Sequence, residues 1–279
     1  MNYKIVVDSC CDLTENMKAD EHMVSIPLTL TVAGVDIIDD ETFDQKSFLE
    51  KVAASSECPK SSCPSPERFL EEYKSIDGDV YVVTLSAELS GSYNSAVMAA
   101  GLYKEEGGKN NIHVFNSCSA SAGETLIAKV ITEQVAAGKS FEEVVEYVEA
   151  YREEKSTFFV LESLETLRKN GRLTHMQALL INALNIKPIM KGTVNGTIEK
   201  VGQARGINKS LSQMIGMLNQ NVKNQNEKTL VIAQCNNNER ALYVKSEAEK
   251  QCSFKEILIV PTKGVSSMYA SDGGIVVSA

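Results

Sequence analysis

Val80-Tyr81-Val82-Val83-Thr84-Leu85 gives way to the small, polar loop Ser86-Ala87-Glu88-Leu89-Ser90-Gly91-Ser92 and then to a helix-forming stretch over 93–103. A strand-forming run without polar alternation is a strand buried on both faces, as in a parallel sheet covered by helices on each side. The same rhythm stands on either side of it. YKIVV at 3–7 ends at Asp8-Ser9, and the strand at 112–115 ends at Asn116-Ser117-Cys118-Ser119 before a helix over 121–136. Repeated strand, polar loop and helix predict an α/β fold whose N-terminal sheet is mainly parallel. Ligands in such sheets sit at the carboxyl ends of the strands, and three of those ends are rich in Ser and Gly here. Small hydroxyls beside helix N-termini offer a seat for an anionic oxygen, although a single Ser before a helix is equally an ordinary N-cap.

Working outward, 26–32 reads as a strand behind Pro27, and 43–54 as a helix capped by Thr42. A further helix starts at 66 behind Ser65. Ser140 and Glu143 make a capping box for the helix after Gly138. The second half changes character. A strand at 157–161 and a helical turn at 164–169 precede a helix over 175–184. Strands at 186–190 and 197–201 flank Val194-Asn195-Gly196, a hairpin signal. A helix over 207–218, an exposed polar loop over 219–228, strands at 230–233 and 257–260 around a helix at 239–250, and a final strand at 275–277 complete the pattern. Hairpin plus crossovers predict a mixed sheet with helices. The expected division is an α/β domain with Ser-rich ligand loops over 1–155 and a mixed α/β domain with an antiparallel hairpin over 156–279.

Composition narrows the function. Among 279 residues, 28 are Lys or Arg and 37 are Asp or Glu, a net charge of −9. With no basic run, the chain is a poor nucleic-acid binder, since phosphate contacts need clustered cations. No apolar stretch approaches the roughly 18–20 residues that span a bilayer, so stable membrane insertion is not expected. The start Met1-Asn2-Tyr3-Lys4 lacks signal-peptide features, and the expected compartment is the cytoplasm. Seven cysteines without CxxC spacing and three histidines assemble no zinc site. Cys10-Cys11 reads as two reduced, buried small residues more readily than as a redox pair.

Catalytic signatures are missing. There is no GxxxxGK[ST], no GxGxxG after a strand and no GxSxG elbow. His175 reads as a surface or packing residue, and Asp8 has no partner carboxylate at a catalytic spacing. No catalytic residue, metal ligand or cofactor is assigned. The alternative is a serine-dependent lipid hydrolase or acyltransferase with Ser90 or Ser119 as nucleophile. That alternative requires a base within hydrogen-bond reach of the serine.

Six fragments, in order, resemble the DegV-like family of fatty-acid-binding proteins, which includes the binding subunit of bacterial fatty acid kinase. IVVDSCCDL at 5–13 is similar to the family's DS-x-x-DL, SSCPSP at 61–66 to TSQPSP, and LSAELSGSY at 85–93 to LSSGLSGTY. LETLRKNGR at 164–172 is similar to L-x-x-L-x-K-G-G-R, IKPI at 186–189 to IKPI, and RGINKSL at 205–211 to R-x-R-K-K-A-L. The resemblance implies a two-domain α/β fold with a lipid buried in an apolar tunnel. It implies a long-chain fatty acid as ligand and the catalytic subunit of a fatty acid kinase as partner, the chain itself being a carrier and not an enzyme. It places the carboxylate on the Ser-rich loops, giving Ser61, Ser62, Ser90, Gly91, Ser92 and Ser119 as ligand-binding residues, with Arg205 at the kinase contact.

Two departures stand out. TSQ becomes Ser61-Ser62-Cys63, keeping a hydroxyl and losing the Gln. The family's C-terminal loop carries a His near the head group, whereas KGVSSMYASDGG at 263–274 has none. Ser266, Ser267 or Tyr269 is then the candidate for the missing hydrogen bond.

Overall fold

The computed structural model describes residues 2–173 and 185–279. The first half builds a four-stranded, all-parallel sheet from β1 (Tyr3–Asp8), β2 (Met23–Ile26), β6 (Asp79–Thr84) and β7 (Ile112–Asn116), in the order β2-β1-β6-β7. Its strands are buried on both faces. Ile5, Val7, Tyr81 and Val83 point to one side, against α5 (Ala122–Ala136) and α6 (Phe141–Glu154). Val6, Val80 and Val82 point to the other, against α3 (Pro66–Lys74) and α4 (Ser92–Glu105). The Ser140–Glu143 capping box opens α6 as expected.

A second sheet has six strands, β8 (Thr157–Val160), β9 (Ile186–Gly192), β10 (Ile198–Arg205), β11 (Thr229–Gln234), β12 (Glu256–Pro261) and β13 (Ile275–Ser278), in the order β10-β9-β8-β13-β11-β12. Only β11 and β12 run parallel; the other pairings are antiparallel, and β9–β10 is the hairpin predicted around Asn195-Gly196. One face packs α8 (Ile207–Asn221) and α9 (Asn238–Gln251) through Phe158, Val160, Leu211, Leu230 and Ile232. The other face looks back toward the first sheet. The fold class is the mixed α/β arrangement expected. Among the described residues, no helix is long and apolar enough to cross a membrane.

Several element boundaries differ from those the sequence predicts. The strand over 26–32 is broken at Pro27, which has no N–H for a ladder. Its halves, β2 and β3 (Thr29–Val32), join different sheets. β3 forms a small antiparallel sheet with β4 (Val35–Ile38) and β5 (Lys60–Ser62), neither of which was expected. Asp44, not Thr42, caps α2 (Gln45–Ala54), accepting from the Ser47 N–H at 2.6 Å. The stretch 219–228 is not all loop, since α8 continues to Asn221. The expected helix over 175–184, with His175, lies outside the described residues. The C-terminal segment read as a loop is in part a helix, α10 (Gly264–Ala270).

Candidate functional site

The carboxyl ends of β1, β6 and β7 face the free side of the six-stranded sheet, and a cavity lies between them. It encloses about 760 Å³ of atom-free space, its open mouth included. Cys10, Leu85 and Cys118 enter it from just beyond the three parallel strands. Its floor follows β8. Thr157, Phe159 and Leu161 line the cavity, while Phe158 and Val160 turn into the core beneath, as the two-residue period of a strand demands. Four steps at 3.2–3.4 Å make this floor about 13 Å long. Val265, Ser266 and Tyr269 of α10 and Gly192, Gly196 and Ile198 of the hairpin close other sides.

Buried carboxylates hold the lining loops in place. Asp8 accepts from the Cys10 N–H at 3.1 Å, from the Leu85 N–H at 3.0 Å and from Ser92 Oγ at 2.6 Å, tying the loop after β6 to the loop after β1. Asp12 accepts from Ser121 Oγ at 2.5 Å and from the Lys263 N–H at 2.7 Å. Asp39 accepts from the Gly264 and Val265 N–H groups at 2.7 and 2.9 Å, fixing the start of α10. All three are fully buried. Burial raises their pKa values, that of Asp12 to about 7, against the lowering effect of those hydrogen bonds. Glu124, at the start of α5, has neither carboxylate oxygen hydrogen-bonded, and burial with the nearby Asp8 pushes it well up. Asp8 therefore holds the loops after β1 and β6 together. Burial also pushes up the Cys10 and Cys11 thiols, which makes them poor nucleophiles. Cys118 and Ser121 adopt left-handed backbone angles, φ 48° and 55°. Such a conformation is costly away from glycine and persists only where neighbours enforce it.

The predicted site residues do not all reach the cavity. Ser119 does, and its Oγ lies 2.9 Å from Thr157 Oγ1. Ser266 does as well, donating to the Cys10 carbonyl at 3.2 Å. Half-buried Ser61 stands one step behind the wall, its Oγ 3.2 Å from Oη of the lining Tyr269. Ser90 follows the lining Leu89 and accepts from the Ser92 N–H at 3.2 Å. Gly91 sits close to the Ser61 loop: a Cβ there would come within 3.0 Å of Cys63 Sγ. Ser62 is exposed, because successive residues of β5 face opposite ways. Ser92 and Ser267 are fully buried away from the cavity. Asp8 engages the Ser92 hydroxyl, and Thr262 with Gln45 engages that of Ser267. Arg205 is exposed at the end of β10.

One residue escaped assignment. Arg172 is the single charged side chain among the described residues lining the cavity. Its Nε donates to the Leu89 carbonyl at 3.0 Å, Nη1 donates to the Asn170 carbonyl, and the guanidinium lies 6.0 Å from the centre of the Tyr269 ring. Burial raises the Tyr269 pKa, against the lowering effects of Ser61 and Arg172, so the phenol stays a neutral donor at neutral pH. Arg172 closes the quoted fragment at 164–172, but nothing in its spacing shows that it meets α10 and the Leu89 loop.

Residues 2–279 match the DegV family. The chain belongs to that family. A DegV domain-containing protein of Streptococcus pneumoniae is 34% identical over 278 residues, covering 99% of this chain and 98% of the relative. Among solved structures, a DegV family protein from Ruminococcus gnavus, refined with vaccenic acid, is 49% identical with a TM-score of 0.96 and 99% coverage of both chains. The fatty acid kinase (Fak) B3 protein of S. pneumoniae, loaded with linoleic acid, is 34% identical with a TM-score of 0.91, covering 100% of this chain and 99% of that one. A DegV protein from Eubacterium eligens loaded with heptadecanoic acid is 28% identical with a TM-score of 0.89 and 99% coverage of both.

Proposed function

We propose that this chain binds one long-chain fatty acid with its tail along β8 and its carboxylate toward Arg172, Tyr269 and Ser61. It then presents that carboxylate to a separate ATP-dependent kinase, which forms the acyl phosphate. The observation that carries the reading is the cavity's make-up, an apolar trough whose lining, among the described residues, includes one cation, Arg172. A fatty acid needs that combination of a long dry wall and one polar anchor. The fatty acids in the three similar structures support the ligand, and the kinase in the name of one supports the partner. Tyr269 and Ser266 take the place of the family's C-terminal His. Arg205, exposed and making no ion pair among the described residues, suits the kinase contact. The division into 1–155 and 156–279 belongs to the same reading, supported by strands that pass from one sheet to the other between Asn116 and Thr157.

The serine-nucleophile alternative finds no support in the geometry. Among the described residues, Ser119 pairs with Thr157, Ser90 with a backbone N–H, and the two described histidines, His22 and His113, are engaged with the Tyr3 carbonyl and Glu149. The test is native mass spectrometry of the purified protein, followed by delipidation and reloading. Recovery of a bound fatty acid, and its ATP-dependent phosphorylation by the kinase of the same organism, is the expected result. A delipidated protein that takes up no fatty acid at micromolar concentration refutes the carrier reading.

A further inference from the structure

We propose that Gly192 sets how much acyl chain the cavity accepts, the space of its missing side chain being filled by the last methylenes of the ligand. This rests on the fatty-acid reading above and adds a specificity-determining residue to it. Gly192 ends β9 in the last ladder pair of the hairpin, opposite Ile198; a glycine in a strand forfeits packing, and its usual local causes are a bulge, an unusual backbone angle, or something approaching closely. The first two causes are absent. Gly192 has no positive φ and pairs regularly with Ile198, and the irregularity of the hairpin lies between Lys200 and Gly202. Nor does the protein crowd it. A Cβ at Gly192 would meet the Thr157 Cβ at 3.8 Å and the Cys118 carbonyl at 3.9 Å, ordinary van der Waals contacts. Gly196 on the same hairpin differs, with φ +87° and a Cβ that would come within 2.2 Å of Ser86 Oγ. Gly196 is needed by the fold; Gly192 is not. The third cause remains, and Gly192 lines the cavity.

Its place along the cavity determines which end of the ligand it meets. Phe158 pairs with Lys191, which sets Gly192 beside Thr157 at the start of β8. Arg172 comes after the far end of β8, past Leu161 and the short helix α7 (Glu165–Lys169). Thr157 and Leu161 stand about 13 Å apart along the floor, with Gly192 beside the first of them. With the carboxylate near Arg172, a side chain added at Gly192 subtracts from the tail and leaves the anchor alone.

The experiment measures affinities of delipidated wild type, Gly192→Ala and Gly192→Val for saturated fatty acids from twelve to eighteen carbons. Each excluded methylene costs about fourfold in affinity. Alanine should weaken the longest acid that wild type accepts by about fourfold. Valine should weaken it by about 15- to 60-fold, moving the preferred length down by about two to three carbons, while short acids bind as before. Thermal unfolding of the delipidated proteins supplies a second reading. Alanine at this unstrained position should leave the midpoint unchanged or raise it, because it restricts the unfolded chain. An unchanged length preference with uptake intact overturns the proposal, and so does equal weakening at every length. If the valine variant does not fold, the alanine variant decides by the same criteria. Wild type that takes up no fatty acid at all defeats the carrier reading, and this inference with it; a wild type that binds while the variants keep its length ranking defeats this inference alone.

Discussion

Arg172→Ala separates the anchor from the trough. In the protein Arg172 spends two of its donors on the Leu89 and Asn170 carbonyls and covers one face of Tyr269. A guanidinium has five N–H donors, which leaves three for a carboxylate in the cavity. Hydrogen bonds to charged groups contribute about 1.5–3 kcal/mol each. Loss of one such contact should weaken fatty-acid binding by about 10- to 150-fold. A fatty alcohol of the same length has no charge to lose and should weaken far less. Arg172→Lys keeps a cation but cannot span Leu89, Asn170 and the ligand with one ammonium, so it should fall between wild type and alanine for the acid. The assay is calorimetric titration of delipidated protein with acid and alcohol in parallel. A loss of acid and alcohol in equal proportion would show that Arg172 shapes the wall and does not read the carboxylate. No loss of either would remove it from the site.

Ser61→Ala takes away the partner of the Tyr269 hydroxyl and should weaken acid binding by about 1–3 kcal/mol, whereas Ser62→Ala, on the exposed face of β5, should change nothing; matching effects of the two in the same titration would break the argument. Arg205→Ala should spare lipid binding and slow acyl phosphorylation by the cognate kinase, with a salt dependence weaker than in wild type; loss of lipid binding would place the residue in the fold. Asp12 carries a folded pKa of about 7 against an ordinary 3.8, so the folded state holds the extra proton between those values, and its contribution to stability declines as pH rises from about 4 to about 7. Asp12→Asn should flatten that decline in thermal midpoints measured across the range, and an unaltered slope would contradict the assignment.

The parallel sheet was legible because its strands are apolar on both faces and each ends in the same kind of loop. The hairpin was legible because Asn195-Gly196 suits few other conformations. Helix starts were read less well: Thr42 and Asp44 are both good caps, and the choice falls to Asp44 through its bond to Ser47. The small sheet of β3, β4 and β5 was not legible because its strands are three or four residues long and β5 lies far along the chain from the β3–β4 hairpin. At the candidate site, the hydroxyl-rich loops pointed to the end of the parallel sheet where the cavity lies. They could not tell Ser119, which lines the cavity, from Ser92, which is turned inward by Asp8, 84 residues upstream. Arg172 was hidden for a related reason, since its partners Leu89 and Tyr269 lie about a hundred residues away on either side.

The walls of the cavity are drawn from segments between Cys10 and Val276, across both large sheets. No local subset of the chain builds the cavity, so a fatty acid bound there, as proposed, would bind the folded state and not the unfolded one. Occupancy then stabilises the whole molecule by mass action, about 2.7 kcal/mol when free ligand stands at a hundred times its dissociation constant. The empty protein is the more perishable form. Where unfolded chains are continually removed by proteases, the amount of a protein acting as the proposed carrier would follow the supply of its ligand, with no dedicated regulator required.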